Sequence, residues 1–171
     1  MSIVIAAMRT EHIKSFHAAL DIVAREHAYL TLLEAPPIAE LRKFIEPSMA
    51  AGAPHIVALN GARVVGWCDV TVRAHPTTRH CGVLGMGLVP EWRGRGVGLR
   101  LIERAIAAAR AHGLARIELQ VRRDNPRALA LYQKVGFAIE GCRRRALLVD
   151  GVYHDLTLMA LLLDAAAPGA P

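Results

Sequence analysis

Leu88-Val89-Pro90-Glu91-Trp92-Arg93-Gly94-Arg95-Gly96-Val97-Gly98 reads as the end of a strand, a glycine-rich turn and the start of a helix. A helix N-terminus presents N–H groups with no partner inside the helix, at the positive end of the helix dipole. Glycines let an anion approach the backbone and permit left-handed torsions. The stretch therefore predicts a phosphate or pyrophosphate site, to which Arg93 and Arg95 add positive charge. A P-loop is excluded, because Gly98 is followed by Leu99-Arg100 and not by Lys-Ser/Thr. A dinucleotide fingerprint starting at Gly94 matches only in part, since Leu99 stands where a small residue is needed, although Glu118 falls near the place of a ribose-binding acid. A tight strand-to-helix turn with no ligand is the third reading of the loop taken by itself.

Downstream, Val97 to His112 has Val97, Leu101, Ala105 and Ala109 on one helical face, and Gly113 is the stop signal. Ala115, Ile117, Leu119 and Val121 alternate with charged and polar residues, which predicts a strand. Asp124-Asn125-Pro126 reads as a cap with proline at the first helical position, and Ala128, Leu131, Tyr132 and Val135 continue as a helical stripe up to Gly136. A last hairpin runs from Phe137 through Asp150-Gly151 to about Leu163. Upstream, Cys81 to Val89 is a strand rich in glycine (Gly82, Gly85 and Gly87), where glycine predicts a bulge or a close backbone approach. His55 to Leu59 and Val64 to Val72 form a hairpin around Asn60-Gly61. Ile3 to Ala7 reads as a buried first strand. Ile13, Phe16, Leu20 and Val23 mark a first helix, and Leu41, Phe44 and Ile45 the inward face of a second, with Pro36-Pro37 between them. A mixed sheet covered by helices follows from this order. Residues 1–163 are expected to form one domain and residues 164–171, rich in Ala, Pro and Gly, a frayed disordered tail.

Asn125, Ala128, Tyr132, Lys134, Gly136 and Phe137 give the glycine loop a more specific meaning. The loop matches Arg/Gln-x-x-Gly-x-Gly/Ala through Arg93, Gly96 and Gly98, and the later segment matches Asn-x-x-Ala-x-x-x-Tyr-x-Lys-x-Gly-Phe. With both motifs in order and one strand apart, the chain resembles the GNAT superfamily of N-acetyltransferases over about Val64 to Leu163. The resemblance implies an α/β (α+β) fold: a single domain with a mixed, mostly antiparallel sheet flanked by helices and splayed at an acetyl-CoA slot. It implies transfer of an acetyl group from acetyl-CoA to an amine by direct attack, with no metal. By the family pattern, Met86, Gly87, Leu88 and Val89 offer backbone groups to the pantetheine arm, with a bulge near Gly87 opening the slot. Arg93, Gly94, Arg95, Gly96, Val97 and Gly98 hold the pyrophosphate, Asn125 bonds the arm besides capping its helix, and Tyr132 protonates the leaving thiolate.

The strand Cys81 to Val89 departs from the family in carrying no carboxylate, so the base stays open among Asp69, His80, Glu118, His154 and Asp155, or a water. Asp69 interrupts an apolar strand, where an acid is costly unless used or paired. By family analogy the acceptor meets the first two helices, their Pro-Pro loop and the last hairpin, with Tyr29, Glu34, Trp67, Tyr153 and His154 as lining candidates. A small-molecule or amino-acid-like amine is preferred to a protein terminus or lysine. A CoA-binding sensor without turnover is the rival reading.

A net charge of +6 fits any anionic partner. The run Arg143-Arg144-Arg145 invites a nucleic-acid reading, but strand alternation splits it between two faces and no aromatic stacking pattern accompanies it. Cys68, Cys81 and Cys142 form no C-x-x-C motif, the N-terminus lacks the basic region of a signal peptide, and no run approaches a membrane span. These features predict a cytoplasmic protein with reduced thiols and neither nucleic acid nor membrane as partner. Leu156, Leu158, Leu161, Leu162 and Leu163 offer an apolar edge for a homodimer, or belong to the core.

Overall fold

The computed structural model describes residues 3–163; the predicted tail, residues 164–171, lies outside the described residues. Seven strands form one sheet in the order β1-β2-β3-β4-β5-β7-β6. They are β1 (Val4–Ala7), β2 (His55–Asn60), β3 (Arg63–Val72), β4 (Cys81–Leu88), β5 (Arg116–Arg122), β6 (Ala138–Val149) and β7 (Val152–Leu162). Four α-helices, α1 (Ile13–Ala24), α2 (Ile38–Ala50), α3 (Val97–Ala111) and α4 (Pro126–Lys134), complete the fold.

Every neighbouring pair is antiparallel except β4 and β5. Those two strands run parallel and pair only through Cys81↔Arg116, Gly82↔Ile117 and Val83↔Glu118. Beyond Val83 they part, while β4 stays on β3 without a register shift from Val72↔Gly82 to Gly66↔Leu88. The slot therefore opens by divergence of two parallel strands, and the bulge expected near Gly87 is not its cause. Gly87 is a close approach instead: a Cβ there would lie 2.3 Å from the Trp67 ring on the neighbouring strand. A side chain at 87 and the indole at 67 cannot both fit.

Alternation fixes what each face of β3 sees. Trp67 meets Phe16 of α1 edge-on, with ring centroids 5.3 Å apart. Trp67 and Asp69 thus lie on the α1 face, and Cys68 on the opposite face. There Leu88, Met86 and Leu131 close around Gly98 at the start of α3. Val97, Leu101, Ile102, Ala105, Ile106 and Ala109 are all buried, the stripe that holds α3 against the sheet.

Three local expectations change. β1 is the edge of the sheet and Val4 is exposed, so the first strand is not buried. Phe44 is exposed, and α2 packs inward through Leu41 and Ile45, with Met49 partly buried beside them. The last hairpin turns through left-handed Asp150 and Gly151 (φ 49° and 78°), as a two-residue turn requires. Its strand β7 lies between β5 and β6 and is not an edge. Leu156, Leu161 and Leu163 are core, and only Leu162 is strongly exposed.

Candidate active site

Gly94 and Gly96 both take left-handed torsions (φ 74° and 75°), and Gly96 is the N-cap of α3 with no side-chain cap. A non-glycine residue is strained in that region. The first amides of α3 are consequently free of any capping side chain, which is the arrangement an anion needs. Arg93 does not add its charge to this opening. Its Nε donates to the Leu88 carbonyl at 2.9 Å, and its two terminal nitrogens clamp the Glu26 carboxylate at 2.8 and 2.6 Å. The guanidinium also lies 4.8 Å from the Tyr29 ring centroid, so Tyr29 is engaged by the loop arginine. Arg95 stacks over Trp92. A cation not singled out in the sequence takes Arg93's place: the Arg127 guanidinium lies against Gly94, 2.8 Å from where a Cβ would stand. It comes from the first turn of α4, and no spacing in the sequence links it to residue 94.

Hydrogen-bond parity decides which backbone groups face the slot. Arg73 N–H donates to Cys81 O and Val89 N–H to Val65 O, so the odd-numbered groups of β4 point to β3. The even-numbered ones point toward β5, where the ladder has ended. Met86 therefore turns its peptide groups into the slot and Leu88 its N–H, the Leu88 carbonyl being taken by Arg93, whereas Gly87 pairs with Trp67 on β3 and Val89 gives its N–H to Val65 and its carbonyl to Trp92 N–H. Asn125 caps α4 through its Oδ1, which accepts from Ala128 N at 3.1 Å.

Asp69 sits directly across from Gly85, the residue at which β4 has just left β5. A Cβ on Gly85 would stand 3.3 Å from Asp69 Oδ1, so the carboxylate leans over the glycine toward the slot. Burial raises its pKa from 3.8 to about 7, against opposing hydrogen bonds from its own backbone and from Thr71. Tyr132 is buried on α4 with its ring tilted against Phe137. Burial pushes its phenol up, and the neighbouring Cys68 adds to the shift. Because Cys68 and Asp69 are adjacent residues of a strand, the phenol and the carboxylate approach the slot from opposite faces of the sheet.

The other base candidates are placed elsewhere. Glu118 is the last rung before the slot, held by Arg73 at 2.6 Å and Arg116 at 2.8 Å. Those hydrogen bonds, Arg116's first, keep its carboxyl below the usual range. His80 is exposed at the closed end of β4, its carbonyl accepting from Ala115 and Arg116. Asp155 accepts from Arg145 N at 2.8 Å. His154 pairs with Asp124 at 3.3 Å beside a shallow groove shared with Arg123, Tyr153 and Asp155. Of the remaining lining candidates, Trp67 is core at 3 % exposure, Tyr153 lies under Arg145, and Glu34 is bridged to Arg25 at 3.1 Å. The arginine run does not alternate as expected. β6 is bulged between Arg143 and Leu147, with Arg145 in a left-handed conformation (φ 49°).

One connection crosses the open end of the slot. Glu26 is held by Arg93, which follows β4, and the next residue, His27, gives its carbonyl to Arg122 Nη1 at 3.1 Å at the end of β5. His27 Nδ1 also meets Asp150 at 2.9 Å in the β6–β7 turn. The turn after α1 is thus a strap joining the two lips of the slot.

Residues 16–137 match the model of the Acetyltransferase (GNAT) family. The chain is 29 % identical to the L-amino acid N-acetyltransferase AaaT of Escherichia coli, over 90 % of this chain and 95 % of that protein. It is 34 % identical to the N-alpha-acetyltransferase RimI of Mycobacterium tuberculosis, over 68 % and 69 %. Its fold superposes with a TM-score of 0.91 on a GNAT superfamily phosphinothricin acetyltransferase of Sinorhizobium meliloti solved with acetyl-CoA, at 20 % identity, covering 100 % of this chain and 94 % of that one. The matched family and these relatives make the chain an acyltransferase. The chain belongs to the GNAT family of acetyltransferases.

Proposed function

We propose that the chain transfers the acetyl group of acetyl-CoA to the primary amine of a small, amino-acid-like acceptor, with Asp69 as base and Tyr132 as acid. The observation that carries this reading is the Asp69 carboxylate leaning over Gly85 at the point where the slot opens. The residues present fit the donor: uncapped α3 amides, Arg95 and Arg127 for the phosphates, and the Met86 peptide groups and the Leu88 N–H for the arm. Acetyl-CoA supplies a thioester whose carbonyl carbon is open to an amine and whose sulfur leaves.

Asp69 takes the proton from the incoming ammonium. An ordinary aspartate is far too weak a base for this, and a carboxyl raised to about 7 is matched to neutral pH. Tyr132, kept protonated by burial, gives its proton to the departing sulfur from the opposite face of the sheet. The strap ties the two lips of the slot together. That closure, together with the likeness to AaaT along nearly its whole length, supports a small acceptor over a protein terminus.

The test is CoA thiol release over a panel of amines with wild type and Tyr132→Phe. Turnover is expected to fall by about 10²-fold or more in the variant, with acetyl-CoA affinity nearly constant. Equal turnover removes Tyr132 as the acid. Tight acetyl-CoA binding by the wild type with no turnover of any amine overturns the transferase reading.

A further inference from the structure

Four arginines stand on the α1 face of the sheet beside the slot, and three are neutralised. Arg73 is paired with Glu118, Arg116 with Glu118 and Glu140, and Arg122 with Asp124. Arg143 is different. Its Nη1 donates to a neutral acceptor, Gln120 Oε1, at 3.0 Å, and among the described residues no carboxylate pairs with it.

Register places this pair relative to the base. Val83 and Glu118 are the last rung of the parallel ladder. Two residues further along these strands stand Gly85, which faces Asp69, and Gln120. Asp69 and Gln120 therefore share a face and a level of the sheet, on opposite sides of the slot. They are two strand spacings apart, about 10 Å between backbones before the splay, with the Asp69 carboxylate over Gly85 on one side and the Gln120 amide turned to Arg143 on the other. Arg143 and Leu156 are paired, one level above the Gln120↔Leu158 pair, from which the guanidinium leans back to Gln120. With Oε1 occupied, the Gln120 amide nitrogen and the remaining guanidinium N–H groups are donors with no assigned acceptor.

Resting on the transferase reading above, we infer that Arg143 and Gln120 form the acceptor's carboxylate subsite, so the preferred substrate is an amino acid bound as a zwitterion. Its ammonium meets Asp69 and its carboxylate meets the Arg143–Gln120 pair across the slot. The planar guanidinium suits a carboxylate, which it grips through two parallel hydrogen bonds.

The experiment compares L-amino acids with the amines left when their carboxyl is removed, using leucine with isoamylamine and phenylalanine with phenethylamine among the pairs. Wild type should favour the amino acid by at least about tenfold in kcat/KM. In Arg143→Ala that ratio should collapse toward one through a raised KM for the amino acid. Arg143→Lys should restore part of it, and Gln120→Leu should lower it to a smaller degree. Both residues lie on an uncovered sheet face, and thermal melts check that the variants fold. A wild type indifferent to the carboxyl, or an Arg143→Ala ratio equal to the wild-type one, overturns the subsite while leaving the transferase reading standing. Acetyl-CoA binding with no turnover of either member of any pair overturns the transferase reading itself.

Discussion

Asp69→Asn should cost activity and add stability, and both effects should depend on pH. The carboxyl titrates near 3.8 when unfolded and at about 7 in the fold. It is therefore uncharged in the fold and charged in the unfolded chain between those values. Its unfavourable contribution is absent below 3.8, grows as pH rises through the window and is complete above about 7. At about 1.4 kcal/mol per tenfold, the cost is about 4 kcal/mol at pH 8 and about 2 kcal/mol at pH 5. Asn keeps the shape and the Thr71 hydrogen bond but has no charge to bury. Urea unfolding should show the variant more stable at both values, with the larger gain at pH 8. Over the same range, wild-type kcat/KM should rise through a limb near pH 7, and the variant should lose the limb together with about 10²-fold or more of the rate. A stability gain equal at the two pH values would show that the carboxyl is not raised. A retained limb with unchanged kcat/KM would remove Asp69 from the chemistry.

Gly96→Ala should weaken CoA binding severalfold and cost about 1–2 kcal/mol through its left-handed backbone, since nothing lies within 4 Å of the new Cβ. Gly113→Ala, with φ of 85° at the far end of the same helix, should cost comparable stability with unchanged affinity in calorimetry; equal affinity losses in both would deny the loop its role. His55 is buried beside Phe16 with an unpartnered Nε2, and burial lowers its pKa from 6.5 to about 4. Here the fold binds fewer protons than the unfolded chain, so stability present above 6.5 is lost as pH falls toward 4, by about 3 kcal/mol. His55→Leu should flatten that acid limb in thermal melts, and an unaltered limb would place the acid sensitivity elsewhere.

The sequence revealed most where chemistry and local geometry coincide. The loop at Gly94 and Gly96 was legible because left-handed torsions and an uncapped helix demand glycine, and α3 was legible because its buried stripe repeats at helical spacing. The predicted elements all exist, most with ends shifted by a residue or two, but the first helix stops at Ala24, well before the Pro36-Pro37 break. What stayed hidden is set by pairing between distant segments. That Arg93 serves Glu26 and Arg127 lies over Gly94 depends on where α1 and α4 dock. Trp67 looks like a lining residue until β4 supplies the glycine that receives its ring. Strand alternation failed at Arg144 because β6 is bulged there, and no local signal announces the extra residues. Asp69 stood out as an acid in an apolar strand, but its place over Gly85 belongs to the β3–β4 register.

The turn after α1 has a mechanical consequence. Consecutive residues, Glu26 and His27, grip Arg93, which follows β4, and Arg122, the last residue of β5, so one short crossbeam ties two strands that no longer bond each other. Widening the gap to admit a bulkier acyl group must stretch or break this brace. The segment bearing it leads directly into the loop before α2, so slot width and the position of that loop are geared to each other. A change in α1, remote in sequence from both glycine loop and catalytic strand, would register at the two together.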